Sequence, residues 1–282
     1  MVSQASITST VRRAAVIALL GAAAVIFVFP FFWMISCSLK TLREVSVFPP
    51  PIFPAVPQWL NYREAFTRAP LLRYAVNSLI ICGAVVILTN LLAAMAAYAL
   101  VFLNFRGKEL VFLVLLSPQM VSGVILLLPL FLVLLRLRLL NGYMALIIPY
   151  TVLYAPFCVH FFRRYMETLP RELVEAARVD GASEFWAMLR IVAPLIKPAL
   201  GTGALFCFIW SWNEFLFALV YVQKPDMRTV SVGLALLESV PNFPPQTNVI
   251  MAAATAITVP ILILFALTQR QFIQGLTAGA VK

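Results

Sequence analysis

Charge is scarce in this sequence, and the residues that usually build reactive centres are scarcer still. Only 11% of its 282 residues are charged against 62% hydrophobic, which leaves too little polar surface to cover a soluble fold. The one histidine, His160, sits beside Phe161 and Phe162, and the four cysteines (Cys37, Cys82, Cys158, Cys207) show no C-x-x-C spacing. A metal site has nothing to be built from, and cysteine reads as a small buried hydrophobe. No G-x-x-x-x-G-K-[ST] phosphate loop occurs, so no nucleotide site is expected on this chain. No cluster of His, Asp, Glu and nucleophile supports an enzyme, and no catalytic residue is assigned. The run Ala14 to Ile35 follows Arg12 and Arg13 but is too long for a signal-peptide core and lacks an A-x-A site after it. It is expected to be an uncleaved first span.

What is present is a series of apolar blocks of about 20 to 28 residues, the length a helix needs to cross a hydrocarbon core about 30 Å thick. Six spans are expected, over 14–36, 75–103, 110–135, 143–162, 199–222 and 249–268, forming an all-α membrane bundle that fills one transmembrane domain, 1–282. The breaks, including the Pro-rich VFPPPIFPAVP, are too short for a separate folded domain. An even count puts both termini on one side. That side carries twelve Lys and Arg against nine on the other, and Arg12, Arg13, Arg163 and Arg164 lie at membrane edges, so both termini are expected in the cytoplasm. The formal charge of +10 is spread over short connections, where it meets anionic lipid headgroups rather than nucleic acid.

Inside the spans a few polar residues stand out. The third block places Ser117, Pro118, Gln119, Ser122 and Gly123 near its middle. Such a break either kinks a packed helix or faces a water-filled path. Glu214, in WSWNEFLFAL, is the only acidic residue within a span. An intramembrane carboxylate is a functional candidate by default, although a structural role, reaching water or bonding a neighbouring helix, is the preferred reading. Trp210 and Trp212 serve either as interfacial anchors or as stacking faces for a ligand. Gln119, Asn213 and Glu214 are therefore the candidates to line a substrate path.

The break 163–198 is long, charged and patterned. Pro170 can open a helix, Leu173, Ala176, Ala177 and Val179 supply apolar positions, and Asp180 with Gly181 supplies a turn. Ser183 can then cap a second helix running to Pro194. Two short helices on a tight turn suit the groove of another protein.

The segment EAARVDGASEFWAMLRIVAP resembles the EAA loop of ABC-importer permeases: Glu175, Ala176, Ala177, Asp180, Gly181, Ala182, Ile191 and Pro194 fit its pattern, and Ala193 stands where Leu is usual. NSLIICGAVVILTNLLAAMAAYAL, NGYMALIIPY, WNEFLFAL and the ending GLTAGAVK are similar to the maltose-type branch, which carries sugars and related polyols. The resemblance implies a permease subunit of a carbohydrate ABC importer in the cell inner membrane. Its partners would be a second homologous permease, two cytoplasmic ATPase subunits and an external solute-binding protein, with no cofactor on this chain. It implies that 163–198 is the cytoplasmic coupling loop and that the tail, with Gly275 and Gly279, reaches the ATPases. A polyol or glycerol phosphate is an alternative solute. An ion-coupled carrier is a rival class that fits poorly, because Glu214 has no ionisable partner in the spans.

Overall fold

A computed structural model describes the backbone of residues 3–237 and 246–280, and the side chains of residues 13, 15–237 and 246–269. The chain is helical, in the order α1 (Ser3–Ser38), α2 (Leu42–Ser46), α3 (Leu60–Arg68), α4 (Leu71–Phe102), α5 (Lys108–Leu116), α6 (Gly123–Arg136) and α7 (Met144–Met166). There follow α8 (Glu172–Val179), α9 (Glu184–Ala187), α10 (Ala193–Leu195), α11 (Lys197–Asn213), α12 (Leu216–Tyr221), α13 (Val230–Leu236) and α14 (Thr247–Ala280). Among the described residues four helices are long and apolar enough to cross a membrane, and the count reaches six if each of two bent pairs is one span. The described residues contain no strand.

Two compact units divide the chain: Met1–Ala69 with Leu236–Ala256, and Pro70–Ala235 with Ile257–Lys282. In the first, α1 exposes apolar side chains over most of residues 15–35, among them Ile17, Leu20, Ile26 and Phe27. A helix apolar all round belongs in lipid or against a partner. Beyond it, a capping box joins Thr41 and Glu44 at the start of α2, and Glu44 also accepts from Ala55 N–H at 2.9 Å, which ties down the Pro-rich stretch. Asn61 organises the rest. Its amide donates to the carbonyls of Ser38 and Lys40, both at 2.8 Å, while its oxygen accepts from Asn248 at 3.0 Å.

In the second unit α4 packs mainly on α7 and α11. Ala93, Ala94 and Ala97 of α4 are buried there, letting backbones approach closely. Gly203 of α11 marks one such close approach, since a Cβ on it would lie 2.7 Å from the ring of buried Phe162 and 3.1 Å from Asn90 Oδ1. At the far end of α4, Asn77 donates to the carbonyls of Asp226 and Arg228 and accepts from Tyr143 O–H, fixing two loops to one helix.

Two spans differ from uniform rods. In the third, a single 3-10 turn, Ser117–Met120, separates α5 from α6 at a bend of 101°. Pro118 starts that turn, where its missing N–H costs nothing. The span expected over 199–222 is not one helix. It is divided at Glu214 into α11 and α12, because the carboxylate supplies acceptors for the first amides of α12. The fourth expected span, α7, continues to Met166, past the expected end at 162, so that Arg163 and Arg164 occupy its last turn, where the helix dipole favours cations.

Candidate functional site

Two places carry the residues singled out from the sequence: the loop between α7 and α11, and a cleft beside Glu214.

In the loop, the pattern E-A-A-x-x-D-G-A has a direct conformational cause. Ala182 N–H bonds the carbonyl of Ala177 at 2.9 Å, and Gly181 N–H bonds that of Arg178 at 3.0 Å. With Gly181 at φ +83° this is a Schellman cap, the helix ending in one left-handed residue and two backward bonds. Ala177 and Ala182 are the pair of positions that meet across such a cap, and both pack on the core under α4 and α7. Asp180 precedes the left-handed residue and is exposed. Ser183 then accepts from Trp186 N–H and caps the next helix. That helix runs from α9 through a π turn, Met188–Val192, into α10.

The loop has two sides. Val174, Ala177, Ala187, Met188 and Val192 face the core. Facing out are Leu173, Val179, Phe185, Trp186 and Leu189, with Val179 88% exposed, next to exposed Glu175 and Ala176. Singly exposed apolar residues need no explanation, but five lie exposed within seventeen residues of this loop, which makes it the candidate contact surface.

The side chains that tie this loop to the spans were not singled out from the sequence. Arg178 grips Glu184 with two bonds of 2.7 and 3.1 Å across the Asp-Gly turn, and its other contact is the carbonyl of Phe102 at 3.1 Å. Tyr98 donates to Glu184 at 2.6 Å. Hydrogen bonds from Arg178 and then Tyr98 hold the Glu184 carboxyl below the usual carboxylate range, and the same pairing raises Arg178. Opposite charges six apart, flanking a D-G turn, were the available signal.

The cleft, about 540 Å³, is lined by Gln119, Tyr154, Phe157, Trp210, Asn213 and Glu214 among others. All three residues proposed for a substrate path are therefore brought together. Glu214 accepts from Phe217 N–H at 2.9 Å and Ala218 N–H at 3.1 Å, and Tyr150 O–H also donates to it. Its backbone carbonyl takes Ser231 O–H at 2.6 Å. The carboxylate thus both starts α12 and links it to α7. Trp210 packs against Tyr154, Phe157 and Phe206 with ring centroids 5.0 to 5.4 Å apart and lines the cleft. Trp212 is buried instead. At the other end of the chain, Gly275 and Gly279 continue the backbone of α14, and the side chains of 270–282 lie outside the described residues.

The family of binding-protein-dependent transport system inner membrane components matches residues 67–277, a stretch that holds both the capped loop and the cleft. The chain belongs to that family. This permease is 38% identical over 254 residues to a sulfoquinovosyl glycerol transport system permease protein of Agrobacterium fabrum, covering 90% of this chain and 88% of the relative. It is 35% identical to the trehalose/maltose transport system permease protein MalG of Thermococcus litoralis, covering 92% and 93%. An arabinooligosaccharides permease of Halalkalibacterium halodurans is 40% identical over 79% of this chain and 78% of its own. Among solved structures, a bacterial ABC transporter for alginate import superposes with a TM-score of 0.79 at 21% identity, covering 96% of this chain and 99% of that one. The fold is therefore that of an importer permease.

Proposed function

We propose that the permease forms half of the translocation path of an ATP-driven, binding-protein-dependent sugar importer and takes its drive through the loop 163–198. The observation that carries this reading is the exposed apolar set of Leu173, Val179, Phe185, Trp186 and Leu189 beside Glu175, held on a capped turn that is bonded to α4. Exposed apolar side chains beside the Glu175 carboxylate fit a groove edged by Lys or Arg on an ATPase subunit. In this reading Glu175 and Ala176 make the contact, while Ala177, Asp180, Gly181 and Ala182 set its angle. Closure of the ATPases then moves the loop and shifts the spans between inward and outward access.

The loop and both termini are cytoplasmic in this scheme, and 275–282, including Gly275 and Gly279, approaches the ATPase pair. A second, homologous permease supplies the facing wall of the path, and an external binding protein delivers the solute. Sugar as cargo is supported by the relatives named above and by the aromatic, carboxamide-bearing cleft. The relatives' names span neutral and sulfonated sugars, so kinship leaves the charge of the cargo open.

The test is uptake of a labelled sugar by proteoliposomes holding the permease pair and its ATPases, with binding protein added outside. Uptake that needs internal or external ATP on the ATPase side and persists when ion gradients are collapsed is the expected result. Uptake driven by a proton or sodium gradient without ATP overturns the proposal.

A further inference from the structure

We infer that the cleft beside Glu214 admits neutral sugars and turns away anionic ones, with Glu214 as the discriminating charge. This rests on the reading of the cleft as this chain's wall of the sugar path.

The aromatic side comes first. Trp210 is held by Tyr154, Phe157 and Phe206, so its ring is positioned before any ligand arrives and little entropy is lost on stacking. The face of a pyranose, carrying C–H groups, packs on such a ring, and its hydroxyls point to the rim. At the rim stand two carboxamides. Asn213 spends its amide N–H on the carbonyl of Ile209 at 2.8 Å, which leaves its oxygen to accept from a sugar hydroxyl. Gln119 is exposed at the 3-10 turn and offers both a donor and an acceptor.

The charge decides between ligands. Every group that bonds the Glu214 carboxylate is neutral: two backbone amides and the phenol of Tyr150. Of the residues lining the cleft, Glu214 alone is acidic and none is basic; the others are apolar, aromatic or carboxamide. The carboxylate is thus hydrogen-bonded with no cation set against it. An anionic sugar whose carboxylate or sulfonate sits about 6 Å away, in surroundings of effective dielectric about 20, meets repulsion equivalent to roughly a hundredfold in binding. A neutral sugar meets none of it and can donate hydroxyls toward the same acceptors. Like-charge rejection is a cheap route to specificity, since it requires no contact that fits only the right ligand.

The experiment measures binding to the assembled transporter, permease pair with ATPases, in nanodiscs without the external binding protein, by saturation-transfer NMR. The probes are neutral trisaccharides (maltotriose, arabinotriose, triacetylchitotriose) and uronate trisaccharides (trigalacturonate, triglucuronate, trimannuronate). The best neutral probe is expected to bind at least about 30-fold tighter than the best uronate. Glu214→Gln should narrow that ratio by about 30-fold or more, bringing the two classes close together. Because Glu214 also caps α12, Gln119→Lys provides an independent reading: an exposed cation at the rim should tighten uronate binding by about tenfold. Uronates binding as well as neutral sugars in the unaltered complex, or a ratio that neither substitution moves, overturns the charge selection while leaving the sugar path in place. A complex that binds none of the six probes removes the path reading together with it.

Discussion

Substituting Gly181 separates backbone conformation from side-chain contact unusually cleanly. A Cβ on this residue would meet no atom within 4 Å, so there is no steric reason for glycine here. The reason is φ +83°, a left-handed conformation that L-residues adopt at a cost of about 1 kcal/mol for alanine and of order 1 to 3 kcal/mol for a β-branched residue. About 2 kcal/mol corresponds to a roughly 30-fold loss of the capped turn relative to alternatives. Losing the turn breaks the bonds Ala182 to Ala177 and Gly181 to Arg178, and puts Arg178 and Glu184 out of register. The exposed apolar residues of α8 then point away from those of α9. Asparagine tolerates the left-handed region, which makes the series Gly181→Asn, Gly181→Ala, Gly181→Val a graded scale. Membrane abundance, copurification of ATPase subunits and uptake per permease are the three readouts. Abundance is expected to stay near normal throughout, while copurification and uptake fall in the order Asn, Ala, Val. Normal uptake by the valine variant refutes the argument, and an asparagine variant as impaired as valine shows that volume rather than conformation matters.

Gly203 predicts the opposite cause: Gly203→Ala forces a methyl to 2.7 Å from the fully buried Phe162 ring and should lower thermal stability by about 1 to 3 kcal/mol in detergent, whereas Gly83→Ala, with nothing within 4 Å, should leave the melting curve unchanged. A cysteine placed by Ser183→Cys, in a background without the four native cysteines, should be labelled by a membrane-impermeant maleimide in inside-out vesicles and not in intact cells. Labelling from outside intact cells reverses the proposed orientation.

Much of the architecture was legible because lipid imposes length and polarity limits that few sequences satisfy by chance. The loop was legible too, since Asp180, Gly181 and Ser183 are turn and cap residues whose roles are local in the chain. Long-range choices were harder to see. Nothing near Glu214 in sequence announces Tyr150 as its partner, and the division into α11 and α12 has no proline or glycine to mark it. The carboxylate was a structural or a functional group on sequence grounds; the fold gives it three hydrogen bonds and also leaves it on the cleft wall. Arg178 and Glu184 escaped notice because charged residues on a polar loop are ordinarily solvated, and only Tyr98 and Phe102, some 80 positions earlier by order of magnitude, give them fixed company.

The helix α4 has 32 residues, with no proline inside it, and at about 1.5 Å per residue it is roughly 48 Å long. One end holds Tyr98 and Phe102 against the loop, and the other holds Asn77 against the carbonyls of Asp226 and Arg228. Beside it two helix pairs are jointed: α5 and α6 bend by 101° at the 3-10 turn, and α10 and α11 by 84°. Mechanically that is a stiff strut set between two elbows. A strut does not absorb displacement along its length; the elbows do. A push of an ångström or two on Glu184 would therefore be passed along the strut, while bending would concentrate at the 3-10 turn, which borders the cleft, and at the 84° bend between α10 and α11.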